Sequence, residues 1–139
     1  MSDDTLQRFQ AVAIKKNVLL SSLGEQELGA VALSASRCIG ADAVVSEKAF
    51  TQALAAWLGG TGAMLKIDAV ELRRTLVDLQ FILRDSYGRE YRRNPDFPAR
   101  FDAPCRALAA VDLDAAARAA RNAEDERRSQ RKIAQAGRS

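Results

Sequence analysis

Apolar positions as far as Arg93 recur at helical spacing and then change to a strand-like alternation. Leu6, Phe9 and Ala13 share one side of a predicted helix that starts near Ser2, with Asp3 and Asp4 at its positive end and Lys15 and Lys16 closing it. Ser22-Leu-Gly-Glu25 has the spacing of a capping box, and behind it Leu28, Val31, Ala32, Ala35 and Ile39 form one stripe that stops at Gly40. Ala41 to Val45 is short and ends in β-branched residues, which suits a strand. Ser46 caps a third helix with Phe50, Leu54, Trp57 and Leu58 on one face, and Gly59, Gly60 and Gly62 end it.

Asp68-Ala-Val-Glu71 opens a fourth helix. Ala69, Leu72, Leu76 and Leu79 share its apolar face, while Arg73, Arg74, Val77 and Asp78 point away. Phe81 to Arg84, the turn Asp85-Ser-Tyr-Gly88 and Arg89 to Arg93 then spell a β-hairpin, with Gly88 supplying a positive φ. Pro95, Pro98 and Pro104 interrupt any ladder that would continue. The predicted architecture is mainly α with a small β-hairpin: a winged helix-turn-helix body over residues 1–93, a Pro-rich connection over 94–104 and a charged helical tail over 105–139. Leading from the connection into that tail, Asp102 and Pro104 start a short helix from Ala103 to Ala110. Between Ala120 and Ile133 only Ala123 offers anything apolar to bury, so a solvated, fraying helix is expected, ordering on a partner.

Charge adds little on its own. The 21 Lys and Arg against 18 Asp and Glu give +3. Residues 1–45 hold 4 basic and 5 acidic side chains, residues 46–93 hold 8 and 6, and residues 94–139 hold 9 and 7, so no segment is strongly basic. The absence of histidine removes Ser-His-Asp and Cys-His nucleophile systems and His-ligated metals. With no close carboxylate pair in a recognisable setting either, the chain reads as a non-enzyme that needs no cofactor and no metal. Cys38 and Cys105 lie outside any Cys-x-x-Cys pattern and read as buried, inert thiols. Asp3 and Asp4 stand where a secretory signal needs basic residues, and no apolar run approaches the roughly 18 residues of a membrane span, so the expected location is the cytoplasm.

Three helices followed by a hairpin is the element order of a winged helix, in which the helix before the hairpin enters the DNA major groove and the wing lies along the backbone. The arginines suit that use: Arg73 and Arg74 on the fourth helix, and Arg84, Arg89, Arg92 and Arg93 on or beside the hairpin. A guanidinium is always charged and bonds two phosphate oxygens with its planar fork. Arg73 and Arg74 also admit a structural reading, paired with Asp78 or Asp85. Tyr87 and Tyr91 admit both base stacking and packing under the hairpin. Gly59-Gly-Thr-Gly62 before Lys66 fails as a phosphate loop, because glycine and lysine are not adjacent, and Leu65 stands where a dinucleotide fingerprint needs its last glycine. Asp112 and Asp114 are accounted for by a helix start rather than a cation site.

Three segments carry a resemblance: Val45-Ser-Glu-Lys-Ala-Phe-Thr-Gln-Ala-Leu54, Glu71-Leu-Arg-Arg-Thr-Leu-Val-Asp78 and Leu83-Arg-Asp-Ser-Tyr-Gly-Arg-Glu-Tyr-Arg92. Over Lys16 to Arg93 the chain resembles the bacterial domain-of-unknown-function 2087 family. Its motif positions here are Leu72, Arg73, Arg74, Leu76, Val77, Asp78, Arg84, Asp85, Gly88 and Tyr91. The resemblance implies a winged-helix module of the kind found in transcription factors. The combined expectation is a DNA-binding regulator acting on double-stranded DNA as a homodimer. The alternative is a winged-helix protein–protein interaction module that recruits a partner through the C-terminal tail.

Overall fold

A computed structural model of the chain describes residues 2–137, with side chains from residue 4 onward. Within these residues the helices are α1 (Ser2–Ala13), α2 (Glu25–Ser36), α3 (Glu47–Leu58), α4 (Ala69–Asp78), α5 (Asp102–Ala107) and α6 (Leu113–Ala136). The strands are β1 (Val45–Ser46), β2 (Ile82–Arg84) and β3 (Glu90–Arg93), antiparallel in the order β1-β3-β2. The fold is therefore mainly helical with a small antiparallel sheet, as the residue pattern predicts. The hairpin gains a third strand, because Val45 pairs with Tyr91 and Ser46 with Glu90. That strand is shorter than Ala41 to Val45, since residues 41–44 turn away before the ladder begins.

Helix starts follow side-chain chemistry where a capping oxygen is in place. Ser46 Oγ accepts from the Ala49 amide at 3.1 Å, Asp68 Oδ1 from Glu71 at 2.8 Å, and Asp112 Oδ1 from Ala115 at 3.0 Å. The capping box at Ser22 does not form. Glu25 is the first helical residue rather than the third, Gly24 is the cap, and the Ser22 hydroxyl donates to the Leu19 carbonyl inside a short 3₁₀ turn. α2 also stops at Ser36, well before Gly40, as the Arg37 amide bonds back to Ser34 and tightens the last turn. The short helix near the prolines covers Asp102–Ala107 rather than Ala103 to Ala110, and Arg37 binds the Leu108 and Ala109 carbonyls just past its end.

α4 ends without a glycine. Gln80 adopts φ +67°, and the Phe81 amide reaches back five residues to the Leu76 carbonyl at 3.0 Å. This closing turn satisfies the last carbonyls and aims the chain straight into β2. Phe81 is thereby buried ahead of the strand and stacks on Phe101 with ring centroids 5.5 Å apart. Leu72 and Leu76 of α4 are fully buried with Phe50 and Leu54 of α3. Ile82 and Tyr91 close the same core from the sheet, and the Phe50 and Tyr91 rings lie 5.4 Å apart.

The core crosses the prolines. Phe101, Cys105, Leu108, Leu113 and Ala117 are buried in the same cluster as Phe9, Val31 and Leu54. Two partly buried arginines tie the halves together through backbone carbonyls. Arg37 donates to the carbonyls of Leu108, Ala109 and Val111 at 3.1, 3.0 and 2.8 Å. Arg121, on α6, donates to the carbonyls of Ala13, Gly60 and Thr61 at 2.9, 3.1 and 2.8 Å. α6 is one continuous helix whose first half docks in this way. Its residues beyond Glu124 are exposed, with Glu124 gathering Arg127 and Arg131 at 2.7 and 3.3 Å.

Both cysteines are free thiols, Cys105 buried and Cys38 half-buried. Burial pushes each thiol up to about 11, and only Cys105 is buried as the residue pattern predicts. No helix among the described residues is long and apolar enough to cross a membrane.

Candidate nucleic-acid interface

Beside α4 the wing is held in shape by one carboxylate. Asp85 Oδ1 accepts from the Arg89 and Glu90 amides at 2.7 and 3.1 Å, and the Asp85 carbonyl accepts from Gly88 at 3.1 Å. Gly88 takes φ +67°, the left-handed conformation that the turn requires. These backbone donors hold the Asp85 carboxyl below the usual carboxylate range. Arg84, Asp85, Gly88 and Tyr91 are thus parts of one prebuilt turn and its ladder, with Arg84 opposite Tyr91. Tyr87 projects from the tip with 80% of its surface exposed, and the Arg89 guanidinium lies 5.5 Å from its ring centroid.

An open groove of about 350 Å³ runs between α4 and the wing, lined by Arg74, Asp78, Arg84, Tyr87 and their neighbours. Arg74 and Arg84 are exposed there. Arg73 is not. Its side chain is only 12% exposed, its Nη1 donates to Thr51 Oγ1 at 2.8 Å and lies 3.3 Å from Glu47, and its guanidinium sits 5.9 Å from the Tyr91 ring. It pairs with neither Asp78 nor Asp85. It pins α4 to α3 and to the wing, and Tyr91 packs under the sheet. Long-range partners on α3 decide this placement, and the spacing within the fourth helix cannot show them.

The strand register separates the remaining arginines. Leu83 opposes Arg92 on the outer face of the sheet, while Ile82 opposes Arg93 on the inner face. Arg92 is exposed beside Val44 and Glu90. Arg93 is half-buried, and its charge adds to the burial that lowers the pKa of Arg37. The structure therefore places Arg74 and Arg84 along the groove with Tyr87 and sets Arg89 over the Tyr87 ring, while Arg92 lies on the outer face and Arg93 is half-buried.

These five arginines share one property. Among the described residues, none of Arg74, Arg84, Arg89, Arg92 and Arg93 has a carboxylate within salt-bridge distance or a side-chain hydrogen bond. Apart from Arg118 on α6, every other arginine in that range has an acidic or carbonyl partner. Among the described residues, the arginines without a carboxylate partner are thus concentrated on α4 and the hairpin, with Arg118 the exception, while the lysines, which are unpaired too, are spread over the rest of the chain. No group of three or more Cys, Asp or Glu is arranged to hold a metal ion among the described residues.

Residues 33–93 match the DUF2087 family. The family model is described as an uncharacterized protein conserved in bacteria. The match ends at Arg93, as the motif segments imply, but begins inside α2 rather than at Lys16. It covers the end of α2, α3, α4 and the whole sheet, and leaves α1, α5 and α6 outside. No curated protein and no solved structure matches the chain. Within the DUF2087 segment the motif residues divide by role: Leu72, Arg73, Leu76 and Tyr91 build the core, Asp85 and Gly88 shape the wing tip, and Arg74, Asp78 and Arg84 line the open groove.

Proposed function

We propose that the protein is a DNA-binding winged-helix protein of the cytoplasm, a transcriptional regulator in which α4 and the wing meet the duplex together. The observation that carries this reading is the concentration of unpaired guanidinium groups on α4 and the hairpin. A free arginine at a surface is hydrated and loses little by exchanging that water for phosphate oxygens. An arginine already paired with a carboxylate must first break that contact. Arg74 on α4, with Arg84 and Arg89 on the wing, is the set that one polyanion reaches at once. Arg92 supports it from the outer face, and Tyr87 is available for stacking at the tip. A homodimer is part of the proposal, since helix-turn-helix proteins read paired half-sites. The role is binding, with no catalytic step.

Titration of a labelled mixed-sequence duplex, followed by fluorescence anisotropy, tests the reading. Binding is expected at about 50 mM salt and should weaken steeply by about 200 mM. No binding at low salt to any duplex would remove it. One specific observation favours the alternative of a protein-interaction module: Glu47 and Asp78 line the same groove as Arg74 and Arg84. In that case a partner would be captured in nuclease-treated extract and retained at high salt, and deletion of residues 112–139 should weaken its capture.

A further inference from the structure

The ten-residue connection from Gly59 to Asp68 has no regular helix or strand of its own, yet it sets where α4 begins. It is held from three directions. Gly62 packs flat on the Trp57 ring at the end of α3, where a Cβ would collide. Val18 bridges to it, donating to the Met64 carbonyl at 2.9 Å and accepting from the Lys66 amide at 2.8 Å. The third hold comes from α6. Arg121 Nη1 and Nη2 donate to the Gly60 and Thr61 carbonyls, with Nη2 also 3.4 Å from Met64 Sδ, and the Thr61 hydroxyl donates to Asp114 Oδ1 at 2.6 Å. Through Nε the same Arg121 donates to the carbonyl of Ala13, the buried last residue of α1.

We infer that α6 is a strut for the α3–α4 connection, with Arg121 as the positioning residue that fixes the entry of α4. A guanidinium fork that satisfies three carbonyls from two separate segments holds them at one mutual distance. The buried apolar side chains of α6, Leu113 and Ala117, lie earlier in the helix than Arg121. Neither α1 nor α6 falls within the DUF2087 segment, so the strut would be a feature of this chain added to that module. The strut stands on its own geometry, whereas its consequence for duplex affinity rests on the DNA-binding reading above.

The test compares the intact chain with Arg121→Ala, Arg121→Lys and, as a control, Arg118→Ala, which removes an exposed arginine without an acidic or carbonyl partner from the same helix. Amide hydrogen exchange at residues 60–67 and in the first turn of α4 should accelerate about tenfold or more in Arg121→Ala, while α2 stays protected. Equal protection at 60–67 in Arg121→Ala and Arg118→Ala would overturn the strut. If the alanine variant does not fold, Arg121→Lys carries the comparison, since it keeps the charge and loses the fork. It supports the strut only if residues 60–67 exchange faster while α2 does not. On duplex DNA, Arg121→Ala should weaken affinity several-fold with an unchanged salt slope. A slope reduced by about 0.9 would make Arg121 a phosphate contact and refute positioning. An intact chain that binds no duplex would sink the DNA reading alone, with hydrogen exchange still deciding the strut.

Discussion

Arg100, Arg106, Arg127 and Arg131, all after Pro98, each sit within hydrogen-bond distance of a carboxylate, whereas Arg74, Arg84, Arg89, Arg92 and Arg93 have none among the described residues. The two regions are nearly equal in formal charge, since residues 46–93 and 94–139 each carry +2 (8 basic minus 6 acidic, and 9 minus 7). What differs is placement. In α6, Glu124 stands three, four and seven residues before Arg127, Arg128 and Arg131, so the helix repeat brings them together. Around the wing, Asp85 spends its carboxylate on backbone amides and Glu47 on Arg73, which leaves the neighbouring arginines unmatched. Net charge therefore says little about where a polyanion would be held, and the partners of each cation say much more.

The largest effect expected from this contrast is on binding. The triple charge reversal Arg74→Glu, Arg84→Glu, Arg89→Glu should abolish duplex binding in a gel-shift titration. The matched reversal of Arg127, Arg128 and Arg131 should leave affinity within about twofold, since exposed pairs are worth little. Next in size is stability. Leu76→Ala, on the buried face of α4, should cost about 2–5 kcal/mol in urea unfolding. Arg74→Ala, on the open face, should stay within about 0.5 kcal/mol. A destabilised Arg74→Ala would mean that its side chain is engaged after all.

Arg73 sharpens the comparison from inside the same helix. Arg73→Ala should lower stability by about 1–3 kcal/mol, because the bond to the Thr51 hydroxyl and the pairing with Glu47 are both lost. The salt slope of duplex binding should not change. A smaller effect concerns pH. The folded Asp85 carboxyl lies below its unfolded value, so its contribution is fully present above the unfolded pKa and is lost as pH falls through the folded one. Wing amides 88–90 followed by NMR should therefore lose protection on acidification through the carboxylate range, and Asp85→Asn should remove most of that dependence. The smallest effect is chemical. With both thiols pushed up to about 11 by burial, Cys38 and Cys105 should react with a thiol reagent only after unfolding.

Much of the frame is legible locally. Ser46, Asp68 and Asp112 announce helix starts because a capping oxygen acts within three residues of itself, and Gly88 announces its turn because few other residues take a positive φ. Ser22 misleads because the capping spacing is satisfied while the preceding turn takes its hydroxyl. Gln80 escapes notice because it fills a position where glycine is the usual signal. The arginines show where local reading stops. Arg37 meets Val111 across 74 residues and Arg121 meets Ala13 across 108, distances at which no periodicity carries information. The same holds for Arg73, whose polar partners on α3 engage it inside the fold.

In the proposed function, Arg74, Arg84 and Arg89 act together on one polyanion because no carboxylate among the described residues neutralises them. The most direct measurement is the slope of log binding constant against log salt for the intact protein and for Arg74→Ala/Arg84→Ala/Arg89→Ala. The triple variant's slope should be shallower by about 0.9 for each phosphate contact removed, with its melting temperature unchanged. Identical slopes for the two proteins would contradict it.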